Sequence, residues 1–355
     1  MSFPDFDHVE MCVEELEPSA LFYISTLGFR VLAEAGPETG LHGLRSLVLQ
    51  QGGLILRLTS PLESDDSPEA EFLRRHGDGV RDIALRTPDA VAAFHEAVRR
   101  GARPVREPEV FTQGGSRVIR ATVASVGDVV HSFIQRDGPE AGLFPGFFQP
   151  TARFPLPVTS SFIALDHVAI CLEQGTLMGA VRFFEDVLGF RQSHVEDIRT
   201  EYSGMNSRVV QSPNGRVCFP LMEPISGVRR GQIDGFLERN QGPGVQHIAL
   251  LTEDISHAVR LLQARDLAVL DVPGTYYEAL ESRVGRLEED VESLRALNVL
   301  VDRDDSGLLL QAFTRSIHSR HTFFLEVIER RESIGFGGAN IRALFEAVER
   351  EQARR

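Results

Sequence analysis

The apolar positions of this 355-residue chain follow an order that occurs twice. A strand-like run, Phe6-Asp7-His8-Val9-Glu10-Met11-Cys12, leads into apolar residues spaced three to four apart at Ala20, Tyr23, Ile24 and Leu27. That is the period of an amphipathic helix, and Gly28 sits where such a helix ends. The order returns in Leu165-Asp166-His167-Val168-Ala169-Ile170-Cys171, then in Val181, Phe184, Val187 and Leu188, then in Gly189. Strand-like runs follow at 46–50 and 54–58, and in the second copy at 207–211 and 216–220. The turn Ser212-Pro213-Asn214-Gly215 predicts a hairpin between the last two.

The cycle also repeats inside each half. His76-Gly-Asp-Gly-Val-Arg-Asp-Ile-Ala-Leu85 matches Gln241-Gly-Pro-Gly-Val-Gln-His-Ile-Ala-Leu250, and each runs into a helical pattern, 88–100 and 255–265. Each half closes on a strand ending in similar residues, Phe133-Ile-Gln-Arg136 and Val327-Ile-Glu-Arg330. The expectation is an α+β chain of two tandem modules. Each would be a pair of βαβββ units whose strands curl into a half-open barrel with helices outside. The boundary is expected in the Phe- and Pro-rich stretch from Gly146 to Pro157. Residues 1–150 then form one module, 151–160 a linker, and 161–355 a second module ending in an extra helix.

Composition narrows the partners. Lys and Arg number 37 against 51 Asp and Glu, a formal net charge of -14. Nucleic acid and anionic membranes need a basic face, so both are disfavoured. Three cysteines, none in a CxxC pair, point to a reducing compartment. The first residues have no secretory pattern, and no apolar run approaches the roughly 18 residues a membrane helix needs. A cytoplasmic setting is expected.

Superposing the halves isolates the chemistry. His8 matches His167, Asp82 stands where the second half has His247, and Ser132 stands where it has Glu326. The second half thus holds His167, His247 and Glu326, separated by 80 and 79 residues. Two imidazoles and a carboxylate on three different strands are the ligand set of a facial Fe(II) triad, which leaves three coordination positions open. Each residue alone reads as a core histidine or a strand carboxylate. A carboxylate inside Phe323-Phe-Leu-Glu-Val-Ile328 is costly to bury without a partner, and a metal shared with two histidines supplies one. His42, His76, His95, His194, His257 and His318 read as solvated loop or helix residues, and His131 and His321 as neighbours of the terminal strands. No Gly-rich phosphate loop and no GxSxG element is present.

At these residues the chain resembles the 4-hydroxyphenylpyruvate dioxygenase and 4-hydroxymandelate synthase family of the vicinal oxygen chelate superfamily, whose modules are glyoxalase/dioxygenase-like. The likeness spans nearly the whole chain. It is most specific in Gly242-Pro-Gly-Val-Gln-His-Ile-Ala249, Pro273-Gly-Thr-Tyr-Tyr277, Asn298-Val-Leu-Val-Asp302, Phe324-Leu-Glu-Val-Ile-Glu-Arg330, and the tail Gly335-Phe-Gly-Gly-Ala-Asn-Ile-Arg-Ala-Leu-Phe-Glu346. The resemblance implies Fe(II) held by His167, His247 and Glu326, O₂ as co-substrate, an arylpyruvate as substrate, and no separate acid or base. It implies a first half without metal, and a homodimer is kept open as the assembly.

The two activities share oxidative decarboxylation and then diverge, one hydroxylating the ring and the other the benzylic carbon. Pro220-Leu-Met-Glu-Pro224 has the dioxygenase proline but an apolar Met222 where an asparagine is usual, and Asn340-Ile341 is synthase-like. So are Asp166-His-Val-Ala-Ile-Cys-Leu172, Met205-Asn-Ser207 and Gly231-Gln-Ile-Asp234, and the synthase is the favoured expectation. By the same resemblance Gln232, Gln246 and Gln311, with Ser207 nearby, are candidate polar contacts to substrate. Phe313, Phe336 and Ile341 are the candidate apolar wall, and Pro220, Met222 and Asn340 are further candidate substrate-binding residues. Ile341, Leu344, Phe345 and Val348 fall on one helical face, fit for core or for a lid. A non-catalytic binding protein on the same scaffold is the competing class, and ring cleavage of a catechol a more distant one.

Overall fold

The computed structural model describes residues 1–62, 66–113, 115–138, 147, 153–159, 161–199, 204–225 and 231–343. Two eight-stranded sheets account for most of them. The first holds β1 (Phe6–Cys12), β2 (Arg30–Ala35), β3 (Leu44–Gln51), β4 (Leu54–Pro61), β5 (Gly79–Arg86), β6 (Pro104–Gln113), β7 (Ser116–Ala124) and β8 (Val130–Asp137). The second holds β9 (Phe162–Cys171), β10 (Arg191–Arg199), β11 (Gly204–Gln211), β12 (Cys218–Pro224), β13 (Gly244–Thr252), β14 (Leu300–Arg303), β15 (Leu308–Phe313) and β16 (Phe324–Arg331).

The strand order β2-β3-β4-β1-β5-β8-β7-β6 recurs as β10-β11-β12-β9-β13-β16-β15-β14. In each sheet the two units meet at an antiparallel central pair, β1 with β5 and β9 with β13. Each central strand also pairs in parallel with the last strand of a unit: β1 with β4, β5 with β8, β9 with β12, β13 with β16. A parallel pair requires a long crossover. Here that crossover is the rest of the unit, and it curls each sheet into a half-barrel.

The helices are α1 (Leu16–Phe22), α2 (Pro68–His76), α3 (Ala90–Arg99), α4 (Leu177–Arg182), α5 (Gln232–Asn240), α6 (Ile255–Gln263), α7 (Gly274–Glu278), α8 (Leu280–Val284) and α9 (Val291–Ala296). Each module therefore contains the two expected βαβββ units, with α7 to α9 inserted before β14. In both copies the first helix runs on into a π-turn, Tyr23–Leu27 and Phe183–Val187, after which Gly28 (φ 83°) and Gly189 (φ 75°) take the left-handed conformation. The expected helical stripes are buried in both. Among the described residues no helix is long and apolar enough to cross a membrane.

One apolar core runs through both modules. Phe3 and Phe6 of the first pack on Phe190 and Phe219 of the second, with ring centroids 6.0 and 5.7 Å apart. His131 lies in this seam, fully buried against Phe184 and Phe219. His76 and His318, expected in solvent, also bridge the modules. His76 Nδ1 meets the Asn240 carbonyl at 2.5 Å, and His318 Nδ1 meets the Asp78 carbonyl at 3.0 Å. His42, His95, His257 and His321 are exposed. Of the expected boundary, residues 146, 148–152 and 160 lie outside the described residues.

Candidate metal centre

The inward faces of β9, β13 and β16 bring His167, His247 and Glu326 together. Ala249 of β13 pairs with His167 on one side and Glu326 on the other, which aligns the strands at this level. All three side chains are buried, and one ligand atom from each lies within 4.8 Å of the others. Among the described residues this is the one cluster of three such groups able to hold a metal ion.

Both imidazoles present the same nitrogen. His167 Nε2 lies 3.1 Å and His247 Nε2 3.3 Å from Oε2 of Glu326. Their other nitrogens are engaged by acceptors: His167 Nδ1 by Asp166 Oδ1 at 2.7 Å, His247 Nδ1 by Gln246 Oε1 at 3.2 Å. With each Nδ1 holding its proton on an acceptor, Nε2 is the nitrogen aimed at the centre and free to bind a metal once any proton it shares with Glu326 leaves. Asp166 is fixed in turn by Arg330 through two hydrogen bonds of 2.6 and 2.8 Å. The other oxygen of Glu326, Oε1, accepts from Gln311 Nε2 at 2.8 Å. These donors fit a divalent metal that takes two nitrogens and one carboxylate oxygen.

The electrostatics agree. Burial alone would lower the His167 pKa, but the Glu326 and Asp166 carboxylates outweigh it and raise it to about 9. Burial would raise the Glu326 pKa, but the two histidines lower it to about 2. His247 is held below its ordinary value, first by burial. The site therefore holds a carboxylate anion that calls for a cation, and one protonated imidazole supplies it here.

A cavity of about 50 Å³ opens onto the three ligands, and its wall includes Ser207, Pro220, Met222, Gln311, Phe313, Phe336 and Ile341. Ser207 lies across from Met222 on β11 and β12. Met222 and Ile341 pack in one apolar cluster with Met205. Phe336 caps the cup, its centroid 5.6 Å from that of His167.

Three expected contacts lie elsewhere. Gln232 is exposed at the first turn of α5, where Ile233 turns inward instead. Gln246 is buried but stays out of the cavity wall, because its amide is taken up in orienting His247. Asn340 is also absent from the wall. It donates to Gln311 Oε1 at 2.8 Å and accepts from the Tyr276 hydroxyl at 2.6 Å. Gly337, at φ 75°, makes this approach feasible, since a Cβ there would collide with the Gln311 amide. Residues 338–343 are helical; Leu344, Phe345 and Val348 lie outside the described residues.

Four residues that line the cavity were not anticipated: the apolar Met205 and Val209, and the polar His194 and Glu196. His194 and Glu196 sit two apart on the edge strand β10, so both face inward. His194 stacks edge-on against Phe336 at 5.2 Å. The alternation of β10 could have exposed them, but its run of charged residues reads as a solvated strand.

The first module keeps the frame and lacks the ligands. His8 Nδ1 is held by Asp7 at 2.7 Å, and Asp7 by Arg136, as His167 is held by Asp166 and Arg330. Asp82 is bound by the backbone N–H and hydroxyl of Ser132, and burial raises its pKa.

Comparison with known proteins agrees with this geometry. Residues 5–129 and 164–311 match the Glyoxalase/Bleomycin resistance protein/Dioxygenase superfamily, to which the chain belongs. The 4-hydroxyphenylpyruvate dioxygenase of Yarrowia lipolytica is 36% identical over alignments covering 100% of this chain and 93% of that protein. The enzyme of the same name from Dictyostelium discoideum is 37% identical, covering 99% and 98%. A solved structure of a triple mutant of 4-hydroxymandelate synthase from Streptomyces coelicolor is 38% identical with a TM-score of 0.88, covering 99% and 100%. Within the superfamily, the chain belongs to the family of 4-hydroxyphenylpyruvate dioxygenases and 4-hydroxymandelate synthases, and is an oxidoreductase of the dioxygenase kind.

Proposed function

We propose that the protein converts 4-hydroxyphenylpyruvate and O₂ to 4-hydroxymandelate and CO₂, with Fe(II) held by His167, His247 and Glu326. The observation that carries this reading is the buried triad, with both Nε2 atoms and one carboxylate oxygen facing the same point. When bound, the iron supplies the redox chemistry between O₂ and the 2-oxo acid.

The chain's own residues provide the rest. Asp166 and Gln246 fix the imidazole tautomers, and Gln311 fixes the carboxylate. Met205, Met222 and Ile341 form a wall without hydrogen-bonding groups, supporting an orientation in which the ring lies on apolar surface and the benzylic carbon is nearest the oxidant. Ser207, His194 and Glu196 offer polar contacts away from it. With only about 50 Å³ free, substrate entry displaces Phe336 and the helix at 338–343, whose return excludes water.

A second reading, ring hydroxylation to homogentisate, is favoured by the names of the relatives from Yarrowia lipolytica and Dictyostelium discoideum. The two products are isomers, so chromatographic separation after single turnover decides between them. The protein is loaded anaerobically with Fe(II), then given 4-hydroxyphenylpyruvate and O₂. The expected product is 4-hydroxymandelate; homogentisate establishes the second reading. O₂ consumption that persists in Glu326→Ala refutes both.

A further inference from the structure

The first module also carries a cavity within its half-barrel. Its volume is about 240 Å³, against about 50 Å³ at the metal centre. Strand registers show that it is the counterpart of the catalytic cup. Arg120 pairs with Ile134 as Gln311 pairs with Ile328, and Val48 pairs with Arg57 as Val209 pairs with Pro220. The first module thus carries guanidinium groups at the places of Gln311 and Pro220, and Asp82 and Ser132 at the places of two metal ligands.

This exchange changes what the cup can hold. Arg57, Arg120 and Arg136 line it, against a single carboxylate among the described residues, Asp82. Asp82 is satisfied by Ser132, and Arg136 by Asp7. Arg57 and Arg120 are not matched in this way. The Arg57 side chain is only 9% exposed; its Nε makes an ionic contact with Glu10 at 3.4 Å but no hydrogen bond, and its Nη2 donates only a long bond to Ser46 Oγ at 3.4 Å. Arg120 also has a buried Nε without an acceptor, and its Nη2 reaches only Glu109, which serves Arg106 as well. Burial first, then the nearby Arg106 and Arg57, disfavour its charge, against the pull of Glu109 and Glu10. Two rings complete the cup: Phe111 lies 5.3 Å from the Arg120 guanidinium, and Phe147 lies 5.4 Å from that of Arg57.

We propose that the first module's cup binds a small aromatic carboxylate, with Arg57 and Arg120 on the anion and Phe111 and Phe147 against the ring. Guanidinium groups pair with carboxylates through two parallel hydrogen bonds, and the rings supply the apolar enclosure a bare anion would not require. The site needs no metal and is separate from the centre at Glu326.

The test is calorimetric titration of the metal-free, full-length protein with phenylacetate, repeated with inorganic phosphate. The expected result is saturable phenylacetate binding that Arg120→Met weakens at least 10-fold. Leu41→Trp, a filling substitution at a half-buried wall residue, weakens it similarly without removing a core contact. Arg120→Lys recovers part of the loss. Absence of saturable binding, binding unchanged in both Arg120→Met and Leu41→Trp, or phosphate binding as tight as phenylacetate overturns the proposal.

Discussion

Gln311 Nε2 donates to Glu326 Oε1 at 2.8 Å, while both histidines approach Oε2. One carboxylate oxygen is therefore committed to the protein and the other to the centre. The chain of contacts continues outward, since Asn340 holds Gln311 and the Tyr276 hydroxyl holds Asn340. The terminal helix is thereby tied to the orientation of a ligand. Gln311→Leu is expected to lower Fe(II) affinity or kcat/KM by about 10–100-fold, the usual effect of losing a partner that orients a ligand. Asn340→Ala acts in the same direction and more weakly. Anaerobic Fe(II) titration and O₂ uptake read both.

Asp166 and Asp7 make a matched pair. Each holds a histidine and is held by an arginine, but only Asp166 stands behind a ligand. Asp166→Asn is expected to cost about 10–100-fold in Fe(II) affinity. Asp7→Asn leaves that affinity unchanged while lowering stability, because it removes the buried negative charge paired with Arg136; breaking such a pair costs about 3–5 kcal/mol. Urea unfolding beside metal titration separates the two effects.

The modules were legible because a duplication carries its own control. Features shared by both copies, such as the Asp-His-Val strands around His8 and His167, mark the frame, and the departures at Asp82/His247 and Ser132/Glu326 mark the site. What sequence did not show depends on contacts distant along the chain. Asn340 reads as cavity wall until a hydrogen bond across 29 residues takes its amide. His194 reads as solvated and Glu196 goes unmarked, because a polar cup breaks the apolar-inward rule that makes strands recognisable. Gln232 sits at a helix start, where one residue of rotation decides between the cup and solvent.

His131 gives a pH dependence. Its ring is buried in the module seam and its pKa is lowered from 6.5 to about 4, by burial against the Ile83 carbonyl contact. The unfolded chain takes up the proton first as pH falls. Stability is therefore complete above about pH 6.5 and is lost as pH falls from there towards 4; at pH 5 the loss from this residue is about 2 kcal/mol. His131→Phe is expected to flatten that limb in chemical denaturation at pH 7 and 5. An equal slope in variant and wild type contradicts it.

Met222 faces the cup where a polar side chain would serve a hydroxylated ring. Met222→Asn is expected to raise kcat/KM for 4-hydroxyphenylpyruvate relative to phenylpyruvate by about 10-fold, the equivalent of about one hydrogen bond. Competition of the two substrates in one assay measures the ratio.

The central claim is that one duplicated histidine is a metal ligand and the other is frame. It is tested by Fe(II) stoichiometry after anaerobic loading and desalting. One iron per chain is predicted for wild type and for His8→Ala, and none for His167→Ala or Glu326→Ala with the fold intact by circular dichroism. Iron retained by His167→Ala, or lost from His8→Ala, would contradict it.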